Sequence, residues 1–393
     1  MSYYITRRMV VFKDFIFKAL NFLLLFNALN FNVFAQSKHA TIWLVCSEYY
    51  LDFRDGYVQK KKLSIPYEHH EEICWYIDNS GEISVKYENG SLYGSNGKKI
   101  DDFLGDGNSV FYFIPVPENE NLVFFVSAMF YKIDVLNNKI IETFENPFSS
   151  TAVFVGSGDC QKTWVFDVRD NIIYKYILTE DGIQKTDYTF SIQVENELHQ
   201  TSKWYLNFSK NCNLYTLTSY NGREVFFGEF DRINGIFIQK SRYKFSESVT
   251  RVNNSIIAPD DSEIYYFIYQ QDTDYPSVKT RKFIKIPIID NMPNYDELTT
   301  IYSYTPKLSH TATCDMFYGL DSNIYVMNYA EKVIDVIEYT SNKIPIYKPN
   351  FINIDYIFGN TKLHFQSDWF SDNPCGSNSP CQTNEKRVKI ICE

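Results

Sequence analysis

An all-β fold built from repeated antiparallel sheets is what this 393-residue sequence predicts, and three observations carry the expectation. Aromatic residues make up 17% of the chain, with 31 Tyr and 32 Phe, and such side chains pack well on a pleated, half-buried surface. Turn-forming clusters followed by strand-like runs recur along most of the chain. Amphipathic helical periodicity is hard to find beyond the N-terminal segment. With only 16 Gly and 13 Pro, the chain is neither collagen-like nor a flexible linker, and its apolar content suffices for a core.

The chain opens with "RRMVVFKDFIFKALNFLLLFNALNFNVFAQS", in which Arg7, Arg8, Lys13 and Lys18 precede or interrupt an apolar stretch ending at Val33-Phe34-Ala35. This pattern predicts a signal peptide over residues 1–35, cleaved after Ala35. Asn21, Asn27, Asn30 and Asn32 disfavour an uncleaved membrane anchor, so no stable span is expected after processing. Cleavage removes the four basic residues and Asp14 from totals of 38 Lys+Arg and 48 Asp+Glu, leaving a formal charge of −13. An acidic surface repels phosphate backbones, so nucleic acid is not expected as a partner.

Six units share one grammar: "DNSGEISVKY" from Asp78, "PENENLVFFVSAMFYKID" from Pro117, "GSGDCQKTWVFDV" from Gly156, "SKNCNLYTLTSY" from Ser209, "PDDSEIYYFIY" from Pro259 and "GLDSNIYVMNY" from Gly319. Each begins with residues that form tight turns through permissive backbone or local side-chain hydrogen bonds, then enters a strand. Counted from Ile83, Val123, Trp164, Tyr215, Tyr265 and Tyr325, the intervals are 40, 41, 51, 50 and 60 residues. That is the scale of a four-stranded propeller blade, the longer intervals holding insertions. A further strand follows several units, as in "REVFFGEFD", "RKFIKIPI" and "KVIDVIEYT".

Two segments stand outside the six units, "TIWLVCSEYYLDF" and "TKLHFQSDWF". Pairing them in one sheet would close a ring and protect its edges. The expectation is therefore a single β-propeller over residues 36–370, closed by N- and C-terminal strands, with seven four-stranded blades favoured over six or eight. Residues 371–393 read as a Cys-containing tail or the start of a following domain. Of the eight Cys, Cys375 and Cys381 lie close together in a Gly/Ser/Pro loop and form the candidate disulfide, consistent with an exported chain. Cys160 and Cys212 precede comparable strands and are a weaker candidate pair.

The order of "IWLVCSEYYLDF", "EEICWYIDNSGEISVKYENGSLYGSNGKKI", "DCQKTWVFDVRDNIIYKYILTEDGI", "WYLNFSKNCNLYTLTSYNGREVFFGEFDRING", "SIIAPDDSEIYYFIY" and "GLDSNIYVMNY" resembles the N-terminal propeller region of exported Bacteroidota proteins. In that family the region often precedes immunoglobulin-like repeats and a gliding-motility-associated, type IX secretion C-terminal domain. The resemblance spans roughly residues 41 to 370, and its motifs specify blade turns more than chemistry. It departs from the family twice. A His-Ala-Asn-Gly-like turn is replaced by Val155-Gly-Ser-Gly-Asp159 before Trp164, and the 393 residues do not include the secretion domain, the expectation being either a stand-alone exported propeller or a truncated reading frame.

Chemistry-bearing motifs are sparse. "YEHHEEIC" groups His69, His70, Glu71, Glu72 and Cys74, but neighbours on a strand face opposite ways and no His recurs at helical zinc spacing. His39, His199, His310 and His364 are isolated. "FVGSGDCQKTW" has no following helix or Lys-Ser/Thr pair and reads as a turn, not a phosphate loop. "FLGDGNS" and "QQDTDYPS" lack the spaced calcium-ligand pattern. No nucleophile elbow is found. Accordingly no catalytic residue, cofactor or metal is expected.

The function these readings imply is an exported, non-enzymatic module that binds a protein or glycan at the cell envelope or outside the cell. The alternative is a hydrolase or lyase acting on polysaccharide, which needs only two carboxyl groups at the right separation. The candidate binding loop is "QQDTDYPSVKTR", residues 270–281, where Asp272, Asp274 and Tyr275 offer an aromatic platform flanked by charges.

Overall fold

The computed structural model describes, with gaps, residues 42 to 353 and the strand 388 to 390. Residues 1–41, 354–387 and loops including 63–72, 194–203, 272–278 and 306–313 lie outside the described residues. Strands β1 (Ile42–Cys46), β2 (Tyr49–Asp52) and β3 (Gln59–Lys62) form a three-stranded antiparallel sheet. β4 (Ile73–Ile77), β5 (Ile83–Glu88), β6 (Ser91–Gly94) and β7 (Lys99–Asp102) make the next. Then come β8 (Tyr112–Val116), β9 (Asn119–Val126), β10 (Met129–Asp134) and β11 (Lys139–Glu145). β12 (Val153–Gly156), β13 (Thr163–Arg169), β14 (Ile172–Thr179) and β15 (Gly182–Ser191) follow. β16 (Trp204–Phe208), β17 (Leu214–Ser219), β18 (Glu224–Asp231) and β19 (Ile236–Lys244) repeat the pattern.

The next sheet is larger. β20 (Val249–Ile257), β21 (Glu263–Gln271) and β22 (Lys279–Ile289) pair in order, and β22 then pairs both with β23 (Met292–Pro293) and with β24 (Thr299–Tyr304). β25 (Cys314–Tyr318), β26 (Ile324–Asn328), β27 (Val333–Glu338) and β28 (Ile346–Asn353) form the last four-stranded meander. β29 (Val388–Ile390) adds to the free edge of β4.

The six recurrent segments occupy equivalent places: Ile83, Val123, Trp164, Tyr215, Tyr265 and Tyr325 stand on β5, β9, β13, β17, β21 and β26, the second strand of each meander. The turn grammar thus marks the passage from first to second strand. Second strands are the most enclosed, with every residue of β17 and all but the last of β13 buried. Fourth strand β11 is mostly exposed and β15 has only one buried residue, which fits an outermost edge. Pro115 lies in first strand β8 and Pro349 in last strand β28, the two edge positions where a missing N–H costs no ladder bond.

Sheets stack through apolar faces. Phe166 meets Phe208, Phe230 and Phe237 across the boundary between sheets β12–β15 and β16–β19, at centroid distances of 4.7 to 6.1 Å. A recurrent polar device reinforces the stacking. Lys132 on β10 donates to the Glu180 carbonyl at 2.5 Å, and Lys175 on β14 to the Asn234 carbonyl at 2.9 Å. In both cases a buried third-strand lysine holds the turn between third and fourth strands of the following sheet.

The expected partner of the 41–53 segment falls outside the described residues, while a C-terminal strand does pair with one near the N-terminus. The segment 41–53 supplies β1 and β2, which pair with β3, and the strand expected near residue 365 lies outside the described residues. The described link from the C-terminal end is β29 on β4, with Val388 opposite Trp75 and Ile390 opposite Ile73.

Candidate functional site

Sheet β20–β24 carries two arginines and two tyrosines in a single row. Arg251 on β20, Tyr269 on β21, Arg281 on β22 and Tyr304 on β24 are register partners in one row across four strands. The guanidinium of Arg251 lies 5.6 Å from the Tyr269 ring centre, and that of Arg281 lies 5.2 Å from Tyr269 and 5.9 Å from Tyr304. Arg281 Nη1 also donates to the Tyr304 hydroxyl at 3.4 Å. Arg281 is 1% exposed and the largest fully buried side chain described. A planar, weakly hydrated guanidinium tolerates this enclosure where an ammonium would not, because it stacks on ring faces.

The row continues along the same face of the sheet. Tyr265 stacks with Phe283 at 5.6 Å, and Phe283 and Tyr302 reach Tyr347 of the next sheet at 5.6 and 4.9 Å. A chain of hydrogen bonds crosses here: Tyr339 donates to the Tyr265 oxygen at 2.6 Å, Tyr265 to Glu263 at 2.6 Å, and Lys285 to the other Glu263 oxygen at 2.5 Å. Burial pushes both the Tyr265 and Tyr339 phenols far above the ordinary range. They therefore act as donors, not as bases. Beside them the buried Asp335 accepts from the Tyr347 hydroxyl at 2.6 Å and the Asn350 amide at 2.7 Å.

The row stands near the two strand ends that the 272–278 segment joins. Tyr269 sits two residues before the end of β21 and Arg281 two residues after the start of β22, so the row forms the base of the 272–278 connection. Asp272, Asp274 and Tyr275 themselves lie outside the described residues, as do Cys375, Cys381, Cys160 and all six histidines. Cys212 is buried in its turn with φ +57. Among the described residues no group of three or more His, Cys, Asp or Glu is arranged to hold a metal ion, and no helix is long and apolar enough to cross a membrane.

Sequence reasoning missed the arginine row. Its only linear trace is that Arg251 and Arg281 stand inside strand-like runs where apolar residues are expected, and their common row depends on strand register.

No protein-family model matches the chain, and no curated protein matches it in sequence. Solved structures match it in fold. A candidate 6-phosphogluconolactonase from Bacteroides uniformis ATCC 8492 superposes with a TM-score of 0.50 at 11% identity, covering 78% of this chain and 92% of that one. A protein from Lactobacillus plantarum gives a TM-score of 0.50 at 12% identity, with 80% and 95% covered. A catalytically inactive virginiamycin B lyase from Staphylococcus aureus gives 0.42 at 13%, with 75% and 88% covered. Identities this low speak to architecture alone. With its succession of antiparallel meanders, the chain has the β-propeller fold.

Proposed function

We propose that this chain is an exported, non-enzymatic β-propeller that binds a protein or glycan at the bacterial cell envelope through the 272–278 loop. The observation that carries the reading is the Arg251–Tyr269–Arg281–Tyr304 row at the base of that loop, which places rigid, register-locked strands beneath a connection bearing Asp272, Asp274 and Tyr275. Binding residues held on a rigid scaffold lose less entropy on engagement than residues on a free segment. Export rests on the basic, apolar and Val33-x-Ala35 pattern of the N-terminus, and an association with Bacteroidota gliding or type IX secretion rests on the sequence resemblance.

The test is capture of envelope proteins and a glycan array with the mature chain and with Asp272, Asp274 and Tyr275 replaced by Ala. Ligand capture should fall while the melting temperature stays within about 2 °C. Unchanged capture removes the loop, and reproducible turnover of a polysaccharide overturns the non-enzymatic reading.

A further inference from the structure

Between β22 and β24 the chain makes a detour that the other described sheets lack. Asp290 and Asn291, at φ +50 and +59, form a tight turn of the kind that suits a two-residue hairpin, and β23 pairs back on Ile288 and Ile289. A single 3-10 turn, Tyr295–Glu297, follows. It lays the Tyr295 ring on Tyr243 of β19 in the preceding sheet, with centroids 3.9 Å apart and planes 4° from parallel. Phe245 closes the same groove, 5.0 Å from Tyr243 and 5.9 Å from Tyr266.

The polar end of this groove is incompletely served. The hydroxyls of Ser241, Tyr266 and Tyr295 are all buried and face one another, with Tyr295 in reach of both Ser241 and Tyr266, but no contact among them has good hydrogen-bond geometry. Yet they lie close enough to influence one another's ionisation, and burial pushes the Tyr295 phenol up to about 12. Tyr266 is fully enclosed, so its hydroxyl has no recourse to solvent. The segment that carries Tyr295 has few backbone ties, and its side-chain hold is the buried Pro293 together with Tyr295 and Leu298, which pack against the core beside Tyr243 and Ile288. Its described backbone ties beyond the two β23 pairs are Asn294 N to Pro287 O at 2.8 Å and two bonds within the turn, and Asp296 and Glu297 are exposed.

We propose that the groove between β19 and β21 is a binding site for a planar ring bearing a hydroxyl, the chemical class of a phenol, and that residues 290–298 are a strap whose own Tyr295 occupies it here. Tyr243 supplies the stacking wall, and the Ser241 and Tyr266 hydroxyls supply the polar floor. A free ring can adjust its position to satisfy both hydroxyls, whereas Tyr295 is restrained by its backbone. The strap opens locally without unfolding either sheet, since few backbone hydrogen bonds tie it and its side-chain hold is confined to Pro293, Tyr295 and Leu298.

Para-cresol and toluene, which differ by the hydroxyl, are the probes. In Tyr295→Ala, p-cresol should raise the melting temperature at a concentration about fivefold below that required of toluene, and adding Tyr266→Phe should remove most of that preference. In the unaltered protein, p-cresol should accelerate hydrogen exchange at the amides of Asn294, Glu297 and Leu298 while leaving β19 and β21 protected. This second measurement decides the matter if Tyr295→Ala fails to fold. A folded Tyr295→Ala that responds equally to both probes or to neither, or unaltered exchange in the strap up to the solubility limit of p-cresol, would overturn the proposal.

Discussion

Asn211 donates from Nδ2 to Asp261 Oδ2 at 2.5 Å, joining the first turn of sheet β16–β19 to the first turn of sheet β20–β24. The two turns are counterparts: Ser209-Lys-Asn211-Cys212 and Ala258-Pro-Asp260-Asp261 each end in a positive-φ residue, at +57 and +59. The Oδ1 of Asp261 is buried and accepts no hydrogen bond. Burial is the main cause that raises its carboxyl above the ordinary range, opposed by hydrogen bonding to Asn211 and Ser209 and supported by the charge of Asp260.

A pH dependence follows from that raised value. The folded chain holds the Asp261 proton more tightly than the unfolded chain, so this contribution to stability is present at pH below the unfolded value and lost as pH rises through the folded one. Asp261→Asn keeps an acceptor for Asn211, suits the left-handed backbone and carries no charge. It should raise the melting temperature at pH 7 by about 1–2 °C and show a smaller gain near pH 3. Calorimetry at the two pH values checks the sign; a larger gain at the acid end would contradict it.

Arg281 tests the aromatic row. Arg281→Ala should destabilise by about 2–4 kcal/mol, because it removes two ring contacts and opens space in a buried row. Arg281→Lys should recover only part of the loss, since an ammonium keeps the charge without the planar stack. Urea titration of both variants gives the comparison.

Two glycines separate backbone strain from collision. Gly235 has φ +63, and a Cβ there would stand 2.8 Å from Trp164 Cδ2; Trp164 in turn donates from Nε1 to the Arg232 carbonyl at 2.7 Å. Gly97 has φ +72 and nothing within 4 Å. Gly97→Ala should cost about 1 kcal/mol, the backbone penalty alone. Gly235→Ala should cost about 2–4 kcal/mol, because the turn must also lift from the ring. Equal losses in chemical denaturation would show that Trp164 yields freely.

Removing residues 388–393 would leave the edge of β4 without β29. The expected result is a loss of about 1–3 kcal/mol together with aggregation at lower temperature, since an unpaired strand edge recruits other chains. Thermal melting followed by light scattering measures both.

Much of the architecture was legible in the sequence because turns are local. Ser157 accepts from the Lys162 amide and Ser209 from the Leu214 amide, so turn residues announce the second strand of each sheet within six positions. The intervals between those turns set the scale of a repeat, and the 60-residue interval did contain an insertion, the strap at 290–298. The place of each unit within its sheet was less clear, because first strands such as "YFIPV" are short and carry little pattern of their own.

The sequence alone determined the all-β class, the recurrent unit and where its turn-to-strand segments fall, since those depend on side-chain period and on residues that form turns within a few bonds; that these are second strands came from the sheet order. Only the tertiary structure decided which distant residues share a row or a groove. Arg251 and Arg281 flank the Tyr269 ring through strand register, and Tyr243, Tyr266 and Tyr295 converge across two sheets. Register and stacking arise from the combined burial of many side chains, so no short segment encodes them.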